Sequence, residues 1–251
     1  MTDQTVAVRP EPSPASRLIW GLISTALLAG WIAWHMGWVW AVAGVFGVFV
    51  HEFGHVLAMN ALGSGPGRIV IVPFVGGAAI PKRAPSSEFR GVLIALAGPV
   101  FGLLAMAPFF IAFAATGQTV WLGGAFFIAV INLLNLAPAP PLDGSKAFGP
   151  ALAWVHPWIE RGALILIGAL VVLWAVQRGS WIFAIFVGLG VLSAVRSGQI
   201  RTPSRRLTTP EWLGSLALYA AALALCLGAV LFAVGGDPAS GLRAIMRLFG
   251  G

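Results

Sequence analysis

Apolar residues fill this chain in long stretches separated by short polar loops, not in the one-sided stripe of a helix that lies half in water. A helix rises 1.5 Å per residue, so the ~30 Å hydrocarbon core of a bilayer takes about 20 apolar residues to cross. Seven runs meet or approach that length: 18–36, 38–62, 89–115, 119–137, 159–177, 180–196 and 211–234. The pattern predicts an all-α polytopic membrane protein with about seven transmembrane helices. The first run follows Arg9 and Arg17, as a signal peptide would, but it is Trp-rich and passes directly into the second, so it is read as a retained helix.

One apolar segment breaks the helical pattern. Residues 68–81 are too short to span and are interrupted by Pro73 and the Gly76-Gly77 pair. Their β-branched residues followed by a Gly-Gly turn predict a small membrane-associated β-hairpin near residues 69–80. Unpaired strand edges are tolerated at membrane depth only against protein or a water-filled cavity, so the hairpin is expected to line a cavity. At the ends, residues 1–17, with Pro10, Pro12 and Pro14, read as a disordered cytoplasmic tail, and residues 237–251, with Arg243 and Arg247 one turn apart, as a short amphipathic segment. Between them lies one transmembrane domain, residues 18–236.

Composition agrees: 59% of the 251 residues are hydrophobic and 9% charged, a balance that excludes a soluble domain. The net charge of +7 could suggest a nucleic-acid partner. However, the basic residues are scattered among short loops and form no stripe interleaved with exposed aromatics, so no nucleic acid is expected. They report orientation instead. With the N-terminus in the cytoplasm, twelve of the fifteen Lys and Arg residues lie inside and only Arg178, Arg243 and Arg247 outside. This bias places the C-terminus outside, in a bacterial or archaeal cell membrane. Cys226 stands alone within the last run, so neither a disulfide framework nor a thiolate cluster is expected.

The second run carries candidate chemistry. His51-Glu52-Phe53-Gly54-His55 is an H-E-x-x-H sequence, and on a helix His51 and His55 project from one face, where both imidazoles can reach one Zn²⁺. Glu52 lies beside them, placed to activate a water. Ionisable residues at membrane depth cost several kcal/mol unless paired or facing a polar cavity, and here three fall within five positions. A zinc hydrolase needs a third protein ligand and an open fourth position. Asp143 is the acid at a comparable depth on the cytoplasmic side, in Asn135-Leu-Ala-Pro-Ala-Pro-Pro-Leu-Asp143-Gly144, where three prolines end the fourth run. The two halves meet only if the second and fourth helices are parallel, as the charge count requires.

A membrane H-E-x-x-H followed two runs later by N-x-x-P-x-P-x-x-D-G resembles the site-2 protease family of intramembrane zinc metalloproteases, over roughly residues 40–150. The resemblance implies that His51, His55 and Asp143 hold one Zn²⁺ per chain, that Glu52 is the general base, and that Asn135 binds substrate or the oxyanion. It also implies single-span membrane proteins as substrates; the oligomeric state stays open. Ala97-Gly98-Pro99 matches a further family signature, but the Asn-containing stretch that often follows is replaced by Val100-Phe101-Gly102, so that helix is assigned no catalytic role. No PDZ or nucleotide-binding domain is expected, as in a minimal form of the family. Two other readings fit an intramembrane ionisable cluster: a transporter or metal carrier, and a membrane-bound amide or lipid hydrolase with the same zinc site.

Overall fold

The computed structural model describes residues 14–72, 76–197 and 204–234. Residues 1–13, the segment 237–251 and the hairpin's Pro73 lie outside the described residues.

All seven apolar runs form helices. They are α1 (Pro14–Met36), α2 (Trp38–Ala61), α3 with α4 (Glu88–Gly102 and Ala107–Thr116), α5 (Val120–Asn135), α7 (Pro157–Gln177), α8 (Trp181–Ser197) and α9 (Thr209–Ala233). Five are long and apolar enough to cross a membrane, while α5 and α8 are shorter apolar helices. The third run is interrupted by a 3-10 turn at Leu103–Met106. Pro99 and Pro108 flank that turn, and each removes a backbone donor from the helical ladder.

An additional helix, α6 (Asp143–Val155), follows the proline segment. It is too short to span and was not expected from hydropathy. Asp143 occupies its first turn, where the exposed backbone N–H groups favour a carboxylate. A Cβ on Gly144 would collide with the carbonyls of Leu136 and Ala137, so glycine lets the start of α6 fold against the end of α5. The Leu136 carbonyl is further held by the Tyr219 hydroxyl of α9, which donates to it at 2.6 Å.

Strands β1 (Arg68–Val72) and β2 (Gly76–Ile80) form the antiparallel hairpin, in a register that pairs Arg68 with Ile80 and Ile71 with Gly77. Val72 pairs with Gly76 and Ile71 with Gly77, so Gly76 and Gly77 lie within β2 and not at the turn. The physical reason at Gly77 is close approach: a Cβ there would stand 2.7 Å from Glu52 Cγ.

Helices α2 and α5 are parallel. Trp40 meets Gly123, Gly44 meets Phe127, Gly47 meets Ile128 and His51 meets Asn132, so both sequences advance together. Helix α3 runs against α2, with Gly54 beside Phe101 and Arg90 donating to the Leu62 carbonyl at 3.2 Å. Small residues at these crossings let backbones approach closely, which is how helices associate where lipid offers no hydrophobic contrast. One apolar cluster, with Val39, Met106, Phe109, Ile128 and Val230, joins α2, α4, α5 and α9. A second, with Val92, Leu96, Leu136, Ala147 and Tyr219, joins α3, α5, α6 and α9 around the loop that carries Asp143.

Candidate metal centre

His51 is the fourteenth of 24 residues in α2, about 15–20 Å along the axis from either end. One helical turn on, His55 points the same way, and the ring centroids are 4.8 Å apart. Asp143 arrives from the start of α6. The three side chains, all buried, place a donor atom each in a tight triangle. Asp143 Oδ2 lies 3.0 Å from His51 Nε2 and 3.0 Å from His55 Nε2, and the two Nε2 atoms are 3.2 Å apart. Lys146 Nζ stands 3.4 Å from the other carboxylate oxygen, Oδ1.

The far side of each imidazole fixes its tautomer. His55 Nδ1 lies 2.7 Å from the Ile94 carbonyl, which can only accept, so Nδ1 carries the hydrogen. His51 Nδ1 lies 2.9 Å from Asn132 Oδ1, and Asn132 Nδ2 donates to the Ile128 carbonyl at 2.8 Å, which orients the amide with its oxygen towards His51. In the neutral rings both Nε2 atoms are therefore bare lone pairs, and they converge on a carboxylate oxygen. Three acceptors in mutual contact repel unless a proton or a metal cation lies among them.

Zinc fits the donor set. Bonds of about 2.0–2.1 Å at tetrahedral angles separate ligand atoms by about 3.3 Å, close to the separations found here. His51, His55 and Asp143 are the group of possible ligands among the described residues.

A cavity of about 440 Å³ opens from the triangle. His51, Glu52, His55 and Asp143 form one wall, and Gly77, Ala78 and Ala79 of β2 another, as expected of the hairpin. Glu52 is buried beside the triangle without belonging to it. Asn135 also lines the cavity, with its Nδ2 donating to the Ile131 carbonyl at 3.0 Å.

Two features of the site escaped the sequence reading. Asn132 sits in the middle of an apolar run with nothing local to mark it. Gly98 and Gly102, on the helix assigned no catalytic role, have specific partners: a Cβ on Gly98 would strike the His55 ring, and one on Gly102 the Asn132 amide. Helix α3 thus takes part in the site by making room for it. The remaining histidines stand outside the triangle. His35 packs on Trp31, and His156 caps α7 by accepting from the Trp158 N–H.

The family profile described as Peptidase M50B-like matches residues 22–142, a span that includes the H-E-x-x-H sequence and stops beside Asp143. The chain is similar to "Putative zinc metalloprotease Rip2" of Mycobacterium tuberculosis, in strain H37Rv and in strain Erdman. Each is 28% identical over 245 residues, covering 77% of this chain and 92% of the relative. No solved structure matches the chain. With its apolar helices the chain is a multi-pass integral membrane protein, and over residues 22–142 it is similar to the Peptidase M50B-like family.

Proposed function

We propose that this protein is a zinc metalloprotease that cuts peptide bonds within the transmembrane segments of single-span membrane proteins. The observation that carries the reading is the position of the metal triangle. It lies midway along a membrane-length helix, on the wall of a cavity large enough for a few extended residues. A soluble substrate would have no reason to meet ligands at that depth.

In this mechanism His51, His55 and Asp143 would hold the zinc ion, which would supply Lewis acidity for activating water and the scissile carbonyl. Glu52 accepts a proton from the attacking water on a carboxylate oxygen. It then returns that proton to the amide nitrogen as the C–N bond breaks. Lys146, beside Asp143 Oδ1, leaves Oδ2 as the carboxylate oxygen that faces the two imidazoles. On this reading Asn135, which also lines the cavity, contacts the substrate backbone.

A substrate helix hides its carbonyls in its own hydrogen bonds, so it must unwind before water can attack. Strand β2 is placed to receive the unwound stretch by strand addition, which replaces the lost backbone bonds. N–H groups alternate in direction along a strand, so of Ala78 and Ala79 one points away from β1. Proline at that position is expected to slow cleavage at least about tenfold with zinc retained. Wild-type rates from proline at both positions in turn would rule out strand addition.

The reading itself is tested by co-reconstituting the protein with a panel of single-span substrates in vesicles. Cleavage sites mapped by mass spectrometry are expected to fall inside the span, to vanish with a chelator and to return with added zinc. Cuts confined to soluble flanks would overturn it, as would transport of metal without any cleavage.

A further inference from the structure

We infer that Asn132 is a positioning residue for the metal, and that its acceptor oxygen sets the tautomer in which His51 offers Nε2. This rests on the metal-site reading above. Asn132 is fully buried in α5, where a lone amide among Ile128, Ala129 and Leu136 has no packing advantage over an apolar residue of the same shape. Its two polar atoms are both committed, Nδ2 to Ile128 O at 2.8 Å and Oδ1 to His51 Nδ1 at 2.9 Å.

The two commitments differ in consequence. The bond to Ile128 is local, one turn back along α5, and it prevents the amide from flipping. The bond to His51 crosses between helices and decides which ring nitrogen bears hydrogen. A ring free to choose would place its hydrogen on Nε2 part of the time and lose the metal lone pair. Partners of this kind behind a ligating histidine are typically worth about 10–100-fold in metal affinity.

Helix α3 supports the same device. Glycine at position 102 leaves open the space that Asn132 occupies, and the nearest atoms to a Cβ placed there all belong to the Asn132 side chain. His55 is held by a different route, the backbone carbonyl of Ile94, which no side-chain substitution removes. Of the two imidazoles, His51 is the one whose tautomer depends on a side chain.

The test is zinc affinity by chelator competition on the full chain, with Asn132→Leu and Asn132→Asp compared. Leucine keeps the shape and removes the acceptor, and affinity is expected to fall about 10–100-fold. Aspartate keeps the acceptor and loses the donor to Ile128, and affinity is expected to stay within about threefold of wild type. Cobalt(II) gives a second readout, because its visible bands report the field at His51 and are expected to shift in Asn132→Asp. Unchanged affinity in Asn132→Leu would overturn the inference. Equal losses in both variants would also overturn it, since they would assign the effect to packing or to the Ile128 bond. Either result leaves the protease reading to be judged separately by cleavage in the wild type.

Discussion

Glu52→Gln is expected to lower cleavage of a membrane-spanning substrate by at least ~10²-fold while zinc stays bound. The two halves of that expectation come from different observations. Zinc should stay because Glu52 stands outside the triangle of His51, His55 and Asp143. Cleavage should fall because Glu52 is the acid beside the triangle that lines the cavity and is not itself a candidate ligand. Glutamine keeps the length of the side chain, and the contact with Gly77 of β2 limits both residues to the same space. What changes is the ability to take a proton from water. Substrate should still enter, so a stable complex with uncut substrate should become easier to capture. A metal carrier makes the opposite forecast, because its flux depends on ligand exchange and not on proton abstraction. Wild-type cleavage by Glu52→Gln with verified zinc content would remove Glu52 from the mechanism.

The parts of this protein that were legible in the sequence are those dictated by solvent and by short-range geometry. Runs of apolar residues long enough to cross lipid must be helical, because lipid satisfies no backbone groups, and all seven are. His51 and His55 share a face by helical spacing alone. What stayed hidden depended on which elements approach each other. Gly76-Gly77 read as a turn, but the need for room beside Glu52 puts Gly77 in a strand. Helix α6 is short and follows three prolines, so nothing in its hydropathy separated it from a loop. Asn132 is one polar residue in an apolar run, and only the parallel packing of α2 on α5 gives it His51 as a partner. The same packing was inferred from the distribution of Lys and Arg, so a charge count over loops anticipated a contact in the core.

Asp143→Ala is expected to weaken zinc binding by at least ~10²-fold, more than the loss of any partner behind a ligand. Asp143 Oδ2 is 3.0 Å from both imidazole nitrogens, so it is the atom that closes the triangle and the only anionic donor in it. Two neutral imidazoles on one helix would remain, leaving a divalent ion without charge compensation in a buried place. Alanine also removes a carboxylate from the first turn of α6 and the partner of Lys146, so a change in folding must be separated from a change in coordination. Asp143→Asn makes that separation, because it preserves the shape while removing the charge. Zinc affinity is expected to drop in both variants, measured by chelator competition, and the helical signal of the metal-free proteins is expected to match wild type. If Asp143→Asn retained full zinc occupancy, the carboxylate would be a neighbour of the metal and not its ligand.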